Sequence, residues 1–380
     1  MRRIATIRVP VLFVATALFF SPVLAAAPQI DAYGPLPVFE LHSGFWINLH
    51  HRLYEEARAQ RNAAPSNAPK SEKASKPTLQ VAPGSKTVLS ASEQRTWAEA
   101  VSYYVANYAD KDLLFSTELV LLKNQLGDFE TCDELSGAKK KTCDAGLPAK
   151  LTQILEGAAP VYRAHRWPAD DRANRAWIKR VAPLVREQGV GLSHRLADIY
   201  QTRWPVEKIR VDVSAAANAA GAYTTLDPLR VTIASSDPRN QGGAALEVLF
   251  HEASHGIATP VELAIVRECR QRDKPIPRDL WHALIFYTTG EVIRPLMEAD
   301  DDANENNQNS TKPGGSSNKD EEGANSRNSQ DSDYTPYAMR EGLYQRGWEN
   351  YLTLLTRYWQ PYLEGRATFD DAIAHMVSAL

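Results

Sequence analysis

Residues 248–257 read VLFHEASHGI. On a helix His251 and His255 stand one turn apart on a single face. That is the spacing at which two imidazoles reach one metal ion. Glu252 is rotated from them by about 100°. It is badly placed as a ligand and well placed to hold and deprotonate a metal-activated water. Val248, Leu249, Ala253, Ser254, Gly256 and Ile257 around these three carry no charge. Histidine and glutamate buried among such neighbours need partners, and a metal supplies one.

The flanks decide the architecture. Upstream, residues 209–213, 221–225 and 230–235 alternate apolar and polar side chains, as half-buried strands do, with turn residues at 218–221 and 227–228. The loop SSDPRNQGG, residues 235–243, leads into the HEASH helix at about Ala244. Downstream, residues 279–297 (DLWHALIFYTTGEVIRPLM) read as a helix with Leu284, Tyr287, Thr288, Glu291 and Arg294 on one face. The expected fold is α+β and predominantly helical, with a small, mostly antiparallel sheet beside the HEASH helix.

This strand-then-HExxH order resembles the zincin metallopeptidases. The resemblance covers roughly residues 209–295. It implies that His251 and His255 are zinc ligands, that Glu252 is the general base, and that an edge strand near Val231–Ala234 binds an extended peptide. A third protein ligand is required, leaving a fourth position for water. Val261 stands where the metzincin pattern needs histidine, and Pro260 would interrupt the helix. The gluzincin pattern takes a glutamate from a later helix, which points to Glu291; Glu262, His282 and Glu298 are the alternatives. His282 lies about half a turn off the Glu291 face and reads rather as a core histidine or one supporting the ligands. Zincins also use a tyrosine or histidine to stabilise an oxyanion; Tyr337 is the first candidate, with aromatic core packing as the competing reading. His42, His50 and His51 form a cluster expected to be hydrogen-bonded rather than metal-binding.

The remaining chain divides by composition. Residues 1–27 have a basic start, an apolar run from Val9 to Phe20 and a small-residue end in PVLAAAP, the pattern of a secretory signal peptide. Export to the periplasm or beyond is therefore expected, with no membrane span in the mature chain. Residues 28–58 read as an N-terminal helical segment, with helical periodicity over 37–58 at Phe45, Leu49 and Leu53, and 59–88 read as a mobile linker. Region 89–205 is helical, from Ser92 to about Leu126 and then over 147–165 and 169–202. Residues 206–298 hold the zincin-like core. Residues 299–333 have nine acids and three bases and almost no apolar side chains, so they read as a disordered insertion. Residues 334–380 predict helices over 335–358 and 367–379.

Charge and cysteines narrow the function. The formal charge is −3, and setting aside 1–27 and 299–333 leaves the rest close to neutral, with no basic footprint for nucleic acid. In an oxidising compartment Cys132 and Cys143 are expected to bridge, leaving Cys269 free. The competing function is a zinc-containing envelope protein that binds or scaffolds without catalysis, against which Glu252 argues. A helical protein with no metal is the third reading.

Overall fold

The structure is a computed structural model that describes residues 36–63, 88–310 and 334–380, the side chains of 299–310 excepted. The expected signal peptide, most of the 59–88 linker and residues 311–333 lie outside the described residues.

Four strands form one mixed sheet: β1 (Val38–His42), β2 (Lys208–Ser214), β3 (Ala222–Leu226) and β4 (Leu229–Ala234), in the order β1-β2-β4-β3. β1 and β2 are parallel, as are β2 and β4; β3 and β4 form an antiparallel hairpin. The expectation of a mostly antiparallel sheet is thus corrected, since two of its three pairings are parallel. β4 is an interior strand, so Val231–Ala234 is not an edge; the edges are β1 and β3.

Residues 37–42, expected as helix, contain the parallel strand β1. Its partner lies some 170 positions along the chain (Phe39 opposite Ile209, Leu41 opposite Val211), and a pairing that distant leaves no local signature. The periodicity at Phe45, Leu49 and Leu53 does form a helix, α1 (Phe45–Ala63), which takes the first residues of the expected linker.

The 92–126 stretch is two helices, α2 (Ala91–Asn107) and α3 (Thr117–Asp128). Asp112 Oδ1 accepts the Leu114 amide at 2.8 Å and Ser116 caps α3, so the backbone turns between them. α4 (Ala149–His165) and α5 (Trp167–Tyr200) follow as expected, with Pro168 in the first turn of α5. α6 (Gly243–Ser254) carries the HEASH motif. α7 (Thr259–Gln271), unforeseen, starts with Pro260 in its first turn. α8 (Leu280–Ser310) continues into the acidic segment expected to be disordered.

The expected 335–358 helix is a chain of short ones, α9 (Tyr337–Arg340), α10 (Leu343–Arg346) and α11 (Glu349–Leu354), interrupted at Gly342 and Gly347. A π-helical turn over Leu355–Trp359 leads to α12 (Gln360–Leu363), then α13 (Phe369–Ser378). The Cys132–Cys143 disulfide is present and Cys269 is free and buried. No helix among the described residues is long and apolar enough to cross a membrane.

The sheet divides two cores. Ile209, Val211, Val213, Val231 and Ile233 belong to a core with α5, α6, α8 and the C-terminal helices. On the opposite face Tyr223 joins the core of α1 to α4. Period-two alternation makes this sorting automatic: Thr224, next to Tyr223, faces α6.

Candidate metal centre

α6 is buried on every side from Ala244 to Ser254, as a helix apolar all round must be. His251 and His255 emerge at its end with ring centroids 5.1 Å apart. Gly256 follows the pair: a Cβ there would stand 2.7 Å from Leu229 Cδ2 of β4, so a larger residue would push that leucine aside.

α8 packs on α6 and delivers a third imidazole. The His282 ring lies 5.3 Å from that of His251 and 5.1 Å from that of His255. One ligand nitrogen from each residue falls within 4.8 Å of the other two. Nitrogens bound at about 2.0–2.1 Å around tetrahedral zinc would stand about 3.4 Å apart, so gripping an ion asks for side-chain shifts of order an ångström.

The chemistry of the donor set fits a metal. Burial depresses all three imidazoles: His251 well below its ordinary value, His255 to about 3 and His282 to about 4. All three are therefore neutral at pH 7 and keep the lone pairs a metal requires. His251 Nδ1 is buried without a well-formed hydrogen bond, and the Phe286 ring covers the imidazole face at 3.4 Å between centroids.

Glu252 is buried and turned to the sheet. The Thr224 hydroxyl lies 2.7 Å from Glu252 Oε2 and 2.8 Å from its main-chain oxygen. Burial pushes the Glu252 carboxyl up to about 7, opposed by the bond from Thr224. A cation on the neighbouring imidazoles would favour the ionised form.

The sequence-based candidates sort clearly. His251, His255 and His282 come together. Glu291 stands apart from the group, its Oε1 paired at 2.6 Å with Arg294 Nη2. Helix geometry explains the exchange. Nine residues separate His282 from Glu291, about half a turn out of phase, so when one faces the α6 histidines the other cannot. Glu262 and Glu298 are outside the group as well. The Tyr337 ring stacks on Phe286 and its hydroxyl is directed to the Ala220 carbonyl at 3.4 Å. Of the N-terminal histidines, His42 pairs with Glu130, His50 with the Tyr104 hydroxyl and His51 with the Tyr223 hydroxyl.

Glu247, one turn before His251, was not foreseen. It is fully buried, accepts the Tyr334 hydroxyl at 2.6 Å and receives the Tyr337 amide at 2.9 Å on each oxygen. A glutamate within the apolar run GAALEVLF was the available signal. No family model, curated protein or solved structure matches this chain.

Proposed function

We propose that the chain is an exported zinc-dependent hydrolase of peptide bonds, of the zincin kind, with His251, His255 and His282 as the metal ligands and Glu252 as general base. The carrying observation is the convergence of three neutral imidazoles from two helices, His251 buried and His255 and His282 half-buried, beside a buried carboxylate. The 1–27 pattern supports export.

When bound, zinc would supply a Lewis acid for the scissile carbonyl and lower the pKa of water toward about 7. Glu252 accepts the proton of the attacking water and returns it to the leaving nitrogen. The Thr224 hydroxyl holds the Glu252 carboxylate in place for both transfers. Trp281, Phe286 and Trp348, packed around His282, exclude bulk water from the imidazoles.

The test joins elemental analysis to turnover. The purified protein should hold about one zinc per chain; less than about 0.5 after gentle purification would remove the site. Glu252→Gln should keep its zinc and lose peptide hydrolysis by at least about 100-fold. Unchanged function in that variant would instead favour the non-catalytic scaffold.

A further inference from the structure

Lys123 of α3 is a buried amine, 1% exposed, that pairs with no carboxylate among the described residues. Taking an ammonium out of water without an opposite charge to meet it is costly, and methionine would fill the same space. Its Nζ donates instead to Thr225 Oγ1 at 2.9 Å and stands 5.5 Å from the centre of the Tyr223 ring. The Tyr223 hydroxyl lies in turn 2.7 Å from His51 Nε2. Tyr223 and Thr225 are the two chain neighbours of Thr224, whose hydroxyl lies 2.7 Å from Glu252 Oε2. We propose that Lys123 is a positioning residue of the candidate centre: with His51 it grips β3 from the far face of the sheet and so fixes Thr224 against Glu252. The proposal deepens the hydrolase reading and rests on it.

The sheet explains why β3 needs a grip. β3 is an edge strand, paired among the described residues with β4 alone, so no backbone ladder supports its outer flank. Its side chains alternate, Thr224 to α6 and Tyr223 and Thr225 to the helices of the other core. Any displacement of the strand carries Thr224 with it. A shift of about 1 Å would stretch the Thr224 contact past hydrogen-bonding range, and a misplacement of that order costs about 100-fold in rate. α3 holds the partner strand at the same level: the main-chain oxygen of Asn124, next to Lys123, accepts Arg230 Nη1 at 3.1 Å, and Arg230 stands opposite Thr225. A hydrogen bond fixes direction as well as distance, which an apolar side chain at position 123 would not. Burial brings the Lys123 amine down to about 8, against the pull of Asp212 and with Arg230 and Arg210 adding to the fall. Charged or neutral, it keeps an N–H for Thr225.

The experiment removes the grip without opening a hole. Lys123→Met with Thr225→Val replaces both partners by apolar groups of similar shape, a change that leaves stability near native. Turnover of internally quenched peptides, zinc content and urea midpoint are compared with those of the native chain. The Thr224 methyl is followed by NMR in threonine-labelled protein, its signal identified by Thr224→Val. The double variant should keep its zinc and its urea midpoint, lose kcat by about tenfold or more at unchanged KM, and show the Thr224 methyl averaging between rotamers. Thr225→Ser, which keeps the hydroxyl, should stay within about twofold of native kcat. Native kcat or a fixed Thr224 methyl in the stable double variant overturns the positioning role, as does an equal loss in Thr225→Ser. If the double variant does not fold, Tyr223→Phe, which keeps the ring and drops only the hydroxyl beside His51, is measured in its place with the same two outcomes. A native chain that cleaves none of the peptides sinks the hydrolase reading. The Thr224 methyl then decides the grip by itself: averaging in the double variant upholds it, and an unchanged signal refutes it.

Discussion

The two candidates on α8 differ in what their surroundings ask of them. Glu291 already has a cation in Arg294 at 2.6 Å and is half-buried, so its charge is met without a metal. His282 makes no ion pair among the described residues, and burial holds it neutral against the opposing pull of Asp279. His282→Ala should therefore weaken zinc binding by at least about 100-fold, since two imidazoles alone leave the coordination open. Glu291→Ala should leave zinc affinity within about twofold and affect only local stability. Competition titration against a chromophoric chelator separates the two; equal losses would return Glu291 to the ligand set.

Among elements, α6 and the segment Tyr334–Tyr337 are joined by the carboxyl of Glu247. α8 accommodates that junction through Gly290: a Cβ there would stand 2.6 Å from Pro336 Cβ and 3.1 Å from Glu247 Oε1. Burial raises Glu247 to about 7; the Tyr334 hydroxyl, the Tyr337 amide and Arg340 pull it down, and Glu291 adds to the rise. The folded-state pKa thus exceeds the unfolded value of about 4.5. Between these two values the folded chain keeps a proton that the unfolded chain has released. The contribution of this group is full below about pH 4.5 and lost as pH rises through about 7, to a limit of about 3 kcal/mol. Glu56, raised to about 7 against Trp97, adds to the same slope. Urea unfolding at pH 5 and pH 8 should show a smaller pH dependence for Glu247→Gln than for the native chain. Identical slopes would refute the assignment.

At the scale of the whole molecule the described residues fall within one compact unit, with two cores sharing the sheet between them. Only the core of α1 to α4 carries a covalent tie: Cys132–Cys143 closes an 11-residue separation. In the chain-entropy account such a loop is worth about 3 kcal/mol. Cys132→Ser with Cys143→Ser should lower the thermal midpoint by several degrees and leave zinc content unchanged, because the helices that carry the three histidines, α6 and α8, pack in the other core. Loss of zinc in that double variant would show that the cores are coupled more tightly than their packing suggests.

Local pattern carried a good deal of this. The helical turn between His251 and His255, the alternation of β2, β3 and β4, the Pro168 helix start and the nearness of Cys132 to Cys143 are set by residues within about a dozen positions of one another. What needed the folded chain is everything that depends on distant partners. β1 is a strand because residues 208–212 lie alongside it. β4 is interior because β2 and β3 flank it. His282 rather than Glu291 meets the α6 pair because the rotation of α8 about its axis is fixed by packing, and a helix considered by itself offers both faces equally.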